Sequence, residues 1–285
     1  MSSTKRTLEP RRSLGRTGFT ATALGIGDVA DRNLGLDACV AAVTQALDLG
    51  LNLVDTAPNY EDGFSEEILG VALAGRRQGV FVVDKLDEHD AEHVRPQVET
   101  GLARMKLERI DAVVFHGLKK IEEWRAIAAR SGPMEKLGRL VSEGLVRFRG
   151  VSAHHPDVLR AAILSDLCDV VLLPVGPSVD ARYIQRILPL ARSRGVGTIA
   201  FKTFAAGKLL ADPARCVRYT LTQDPDVALL GMSTPAEVEV AVLAARGFSP
   251  MSRDEERATR VWARELLEGK GPFWWNPEGE LAAVF

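Results

Sequence analysis

Eight short apolar runs alternate with eight amphipathic segments along this chain, and that alternation constrains the fold more than any other feature. The strand-like runs are residues 23–27, 51–55, 80–85, 110–116, 146–152, 168–174, 197–202 and 227–231. The helical segments are 37–49, 65–74, 92–105, 121–143, 156–165, 180–194, 212–222 and 235–246. Apolar strands separated by helices imply a parallel sheet covered on its faces. Eight such units in 285 residues point to a closed (β/α)8 TIM barrel, a fold of about 250 residues, over an open doubly wound sheet. Asp37, Ser65, Asp180 and Asp212 are placed as helix N-caps, and Gly50, Gly144 and Gly195 as helix-ending glycines. The whole chain, 1–285, reads as one α/β domain. Its Gly- and Arg-rich stretch 10–20 is expected to form an N-terminal hairpin, and the barrel to run over about 20–246. A helical and loop extension follows over about 247–285, with a charged helix at 252–270 and a loop carrying Trp274 and Trp275.

Composition removes several classes of partner. The net charge of −2 offers no basic field for nucleic acid or an anionic membrane. No run of about 18 apolar residues is present, and the polar, basic residues 1–12 lack the apolar centre of a secretory signal. Cys39, Cys168 and Cys216 are far apart and form no CxxC pair, as expected of buried thiols in a reducing compartment. A cytoplasmic location is the expectation.

A parallel barrel collects its reactive groups at the C-terminal ends of its strands. Asp55, Lys85 and His116 close the second, third and fourth runs, and Tyr60 follows on the loop after the first of these. A free phenol, with a pKa of ~10, is a poor acid at neutral pH. A nearby ammonium favours the phenolate and is expected to lower that value. Asp55 would hold Lys85, and His116 could donate a hydrogen bond to the same carbonyl oxygen. Such a set can protonate an oxygen that gains charge as hydride reaches its carbon. His89 and His93 have an i,i+4 spacing open to metal binding. They lie among Asp87, Glu88, Asp90 and Glu92, and a solvated helix start is the better reading, so no metal is expected.

Nearly the whole chain resembles the aldo-keto reductases. Residues 12–18 and 23–27 look like that family's N-terminal hairpin and first strand, Asp55-Thr56-Ala57 with Tyr60 matches its most specific motif, and Lys85 and His116 match the two remaining catalytic positions. Residues 144–152 look like its fifth-strand motif. Phe115-His116-Gly117-Leu118, Ala200-Phe201-Lys202 and Leu230-Gly231-Met232-Ser233 lean toward the branch that often carries a ferredoxin-like C-terminal extension. The cysteines of such an extension are absent, so no iron–sulfur cluster is expected.

The resemblance implies a cofactor, NADP(H) or NAD(H), lying across the C-terminal mouth without a GxGxxG turn. It implies Tyr60 as proton donor, tuned by Lys85, with Asp55 supporting Lys85 and His116 orienting the carbonyl. Asp55, Ser152, Phe201, Lys202, Thr203, Gly231, Met232, Ser233 and Glu237 fall at cofactor positions. Asp28, Asn59 and His154 fall where a small-molecule carbonyl or alcohol substrate would bind, and Trp274 and Trp275 either wall that substrate site or pack the tail onto the barrel.

Departures from the family pattern accompany these matches. Ala153 stands where many members have Asn, and Leu172 where Gln often meets the carboxamide. Val240-Ala241 replaces the Glu-Asn pair that binds adenine, and Glu237 sits about where an Arg would hold the 2′-phosphate, which argues for NADH or for weak cofactor binding and leaves the choice of NADPH or NADH open. Two other readings stay open at this stage: a non-redox lyase or isomerase using the same four residues, and a cofactor-binding regulatory subunit. Substrate identity, reaction direction and oligomeric state are not legible.

Overall fold

A computed structural model describes residues 10–270. Eight parallel strands close into a barrel: β3 (Leu24–Gly27), β4 (Leu53–Asp55), β5 (Phe81–Leu86), β6 (Ile110–Leu118), β7 (Val146–Ala153), β8 (Val170–Pro174), β9 (Gly197–Phe201) and β10 (Val227–Gly231). Each pairs with its neighbour in sequence, and β10 closes on β3. The expected TIM barrel is therefore the observed one. Two residue sets make the core. Leu53, Phe81, Val83, Ala112, Val114, Ile199 and Leu229 fill the barrel interior, while the opposite strand faces pack under the helices.

The expected hairpin is β1 (Arg11–Ser13) paired antiparallel with β2 (Thr20–Thr22). It closes the barrel end where the strands begin. Leu14 and Phe19 join the interior cluster, and the Arg16 N–H donates to Gly195 O at 2.7 Å. Gly15 has φ +47°, and a Cβ there would meet Gly197 N at 2.2 Å, so only glycine lets the hairpin approach this closely. Plugging this end leaves the opposite mouth open for chemistry.

The helices are α1 (Leu36–Asp48), α2 (Phe64–Ala72), α3 (Val94–Met105), α4 (Ile121–Ile127), α5 (Pro133–Ser142), α6 (Pro156–Leu164), α7 (Leu188–Ser193), α8 (Pro213–Thr222), α9 (Pro235–Arg246) and α10 (Arg253–Leu267). The single helix expected over 121–143 is two. Pro133 lacks an N–H and forces Gly132 into an extended conformation, so the chain restarts as α5 there. Within the expected 180–194 helix, Tyr183–Ile187 forms a wide π turn before α7, which carries Pro189 in its first turn. Asp212 caps α8 as expected, accepting the Arg215 N–H at 3.0 Å. Asp37 and Ser65 instead lie inside their helices, whose N-caps are Gly35 and Gly63. Gly50, Gly144 and Gly195 have positive φ, as helix ends require. No helix among the described residues is long and apolar enough to cross a membrane.

Candidate active site

Asp55 ends β4 and Lys85 lies one residue from the end of β5, so both reach the C-terminal mouth. The Lys85 Nζ lies 2.5 Å from Asp55 Oδ2 and donates to Thr56 O at 2.8 Å. These side chains are only 2% and 1% exposed. Burial alone would lower the Lys85 pKa, but attraction to Asp55 and Tyr60 outweighs it and holds the ammonium above its ordinary value. The charged pair is thus the state the geometry supports.

Tyr60 sits on the turn after β4, its N–H donating to Ala57 O at 3.2 Å. Glu61, Asp62 and Gly63 follow with φ of +49°, +53° and +83°, a strained run held from both sides. Arg32 donates its N–H to Glu61 Oε2 at 2.8 Å and its guanidinium to Glu61 O at 2.6 Å. At φ +83° the Gly63 backbone favours glycine, and a Cβ there would have to displace the Arg104 guanidinium. The Lys85 Nζ lies 4.4 Å from the Tyr60 ring centre. The expected lowering of the phenol pKa is reversed. Burial is the larger effect, attraction to Lys85 the smaller, and Tyr60 is pushed up to about 12.

His116 is aimed by an irregularity in its strand. Between Phe115 and Leu118 the β6–β7 register shifts: Phe115 pairs with Val151 but Leu118 with Ala153. The extra residue on β6 makes a bulge, with Gly117 at φ +65°. It presents the His116 ring edge-on to Tyr60, with centroids 5.7 Å apart and planes at 78°. The His116 Nδ1 lies 2.6 Å from Asp87 Oδ1, and the other Asp87 oxygen accepts the Asn59 N–H at 2.9 Å. Burial lowers the His116 pKa, partly offset by Asp87. Asp87 does not stand out in the sequence, where it belongs to an acidic run that reads as a solvated helix start. Of the two histidines in that run, His93 contacts Glu88 at 3.0 Å and His89 packs edge-on to Phe115. No group of three or more His, Cys, Asp or Glu that could hold a metal occurs among the described residues.

One cavity of about 960 Å³ is lined by Asp55, Tyr60, Lys85 and His116, by Asp28, Asn59 and His154, and by Ser152, Phe201, Lys202, Thr203, Gly231, Met232, Ser233 and Glu237. The structure brings together every sequence-expected site residue within 10–270; Trp274 and Trp275 lie outside the described residues. His154 donates its N–H to Leu118 O at 2.8 Å and packs edge-on to Phe201 at 5.1 Å. Burial first, then Lys202 and His116, drives its pKa down to about 3, so this ring is neutral. Leu172 forms part of the cavity floor, Ala241 is buried and Val240 is exposed on the rim. Two buried polar atoms of cavity-lining residues, Asp55 Oδ1 and Thr203 Oγ1, have no hydrogen-bond partner among the described residues. Glu237 is exposed at the start of α9 and lines the rim of the cavity. Its Oε2 accepts the Ser233 N–H at 2.8 Å and the Thr234 N–H at 3.1 Å, while Thr234 caps α9 in return.

This geometry agrees with the comparisons to known proteins. The L-galactose dehydrogenase of Arabidopsis thaliana is 27% identical, the alignment covering 88% of this chain and 93% of that protein. An NADH-specific methylglyoxal reductase of Escherichia coli is 25% identical over 69% of this chain and 66% of its own. Among solved structures, the holo form of an aldo-keto reductase from Bacillus halodurans superposes with a TM-score of 0.74, covering 88% of this chain and 95% of that one at 21% identity. One from Klebsiella pneumoniae, in complex with NADPH, superposes at 0.72, covering 90% and 95% at 19% identity. At such identities these structures speak to the fold alone. The Aldo/keto reductase family model matches residues 23–215, about two thirds of the sequence, and the chain belongs to that family.

Proposed function

We propose that this protein interconverts a carbonyl and an alcohol on a small molecule with a nicotinamide dinucleotide, and that it prefers NADH. The observation carrying the reading is the buried Lys85–Asp55 ion pair set against Tyr60 at the barrel mouth. Tyr60 gives the proton to the carbonyl oxygen. Lys85 stabilises the phenolate that this leaves, Asp55 keeps Lys85 charged and in place, and His116 lies beside the same oxygen. The bound dinucleotide would supply or accept hydride. The unpaired Asp55 Oδ1 and Thr203 Oγ1 suit a ligand rich in hydroxyl and amide groups. Ser152, Phe201, Lys202, Gly231, Met232 and Ser233 would complete its cradle, and Asp28, Asn59 and His154 would face the substrate.

The NADH preference rests on Glu237. Its carboxylate already takes two backbone donors at the start of α9, where a 2′-phosphate would meet like charge. We place the chain near the branch with the ferredoxin-like extension, as one domain without metal or iron–sulfur cluster. A reducing, cytoplasmic setting suits its three buried free thiols. Relatives named as dehydrogenases and reductases do not favour a non-redox role. The test is to titrate the protein with NADH and NADPH, then assay a carbonyl panel by nicotinamide absorbance. Tyr60→Phe should bind dinucleotide as the wild type does and lose turnover; undiminished turnover would refute the assignment.

A further inference from the structure

We propose that Asp87 is a positioning residue of the active site, fixing the proton of His116 on Nδ1 and tying the Tyr60 loop to the same carboxylate. The inference deepens the carbonyl–alcohol reading and rests on it for its catalytic consequence. Both Asp87 oxygens are used, one on each reacting element. Oδ1 lies 2.6 Å from His116 Nδ1, and Oδ2 accepts the N–H of Asn59, the residue before Tyr60, at 2.9 Å. An ionised carboxylate only accepts hydrogen bonds, so the His116 nitrogen facing it carries a proton. The remaining nitrogen, Nε2, then presents a lone pair in the neutral ring. His116 accordingly accepts from a hydroxyl, whether of Tyr60 or of an alcohol substrate. It would donate to a carbonyl only with a second proton on the ring, a state that burial disfavours and Asp87 only partly restores. Asp87 is itself anchored: its N–H and that of Glu88 donate to Gln97 Oε1 at 2.9 and 3.0 Å, and Gln97 Nε2 donates back to Glu88 O at 2.9 Å. One side chain on α3 thereby sets the position of the carboxylate that orders both His116 and the Tyr60 turn.

The test pairs a spectroscopic readout with a kinetic one. In wild-type protein with 15N-labelled histidine, the His116 ring, assigned by its loss in His116→Gln, should show its proton on Nδ1. Asp87→Asn is nearly isosteric and separates the two ties. The amide oxygen can keep the Asn59 N–H, while the NH₂ donates to Nδ1 and moves the ring proton to Nε2. The variant should show that shifted tautomer, bind dinucleotide as the wild type does, and lose at least about tenfold in kcat for alcohol oxidation, where Nε2 must accept from the hydroxyl. A wild-type ring protonated on Nε2 alone, or a variant with unchanged tautomer and kcat, would overturn the proposal. Should the wild type bind neither dinucleotide, the oxidoreductase reading falls instead, and the imidazole spectrum still decides what Asp87 does.

Discussion

The Lys85 ammonium lies 4.4 Å from the centre of the Tyr60 ring, yet Tyr60 holds its proton more tightly than a free phenol. Two effects compete, and burial wins over charge. The balance has a direction: a neutral phenol is a ready donor for carbonyl reduction, and the ammonium becomes most useful once the proton has left.

The ion pair beneath the phenol should behave as a unit. Removing Lys85 leaves the Asp55 carboxylate buried with no counter-charge, which costs about 3–5 kcal/mol where a pair is almost fully enclosed. Lys85→Met should therefore lower the denaturation midpoint strongly and abolish turnover. Lys85→Met/Asp55→Asn should recover much of the stability and none of the activity. Chemical denaturation of both variants measures the coupling, and equal destabilisation of the two would show that the pair is not the source.

Cofactor choice should move with Glu237. Glu237→Gln keeps an oxygen able to accept the Ser233 and Thr234 N–H groups but removes the negative charge. Affinity for NADPH should rise several-fold while that for NADH changes little, since only the phosphate meets the carboxylate. Thermal melting should stay close to wild type because the cap survives. Parallel titrations read the ratio, and a ratio that does not move would place the phosphate elsewhere along the cavity.

Much of this was legible in the sequence because barrel strands and catalytic ends share one periodic pattern. The eight runs matched the eight strands, and Asp55, Tyr60, Lys85 and His116 were visible as residues closing or following them. What escaped had long-range or local steric causes. Asp87 looks like any acid in a charged stretch until the fold brings His116, distant in sequence, against it. The bulge at His116 and Gly117 is a mismatch between two strands and exists only once β6 and β7 pair. The break before Pro133 is written in the sequence, but a continuous amphipathic pattern runs across it. The charged neighbour of Tyr60 is visible in the sequence, whereas the enclosure that raises its pKa exists only once the chain is folded.

A buried acid pair behind Lys85 should tilt stability with pH. Asp84 and Glu66 are 2% and 0% exposed, and their Oδ2 and Oε1 atoms converge on the space beside Gly101, where a Cβ would meet them at 2.5 and 2.9 Å. Arg104 lies 2.6 Å from the other Glu66 oxygen, and the other Asp84 oxygen accepts the Lys85 N–H at 2.8 Å. Burial first, then the Glu66 charge, raises Asp84 from the ordinary carboxylate range to about 8. The folded protein thus holds a proton that the unfolded chain releases near pH ~3.9. This contribution is complete below that pH and is lost as pH rises through the folded value. Asp84→Asn is neutral throughout, so it should flatten the fall in melting temperature between roughly pH 5 and 9 and exceed wild-type stability at the alkaline end. Melting curves across that range for the two proteins decide it; parallel curves would mean that Asp84 is ionised in the fold and that Arg104 neutralises the pair.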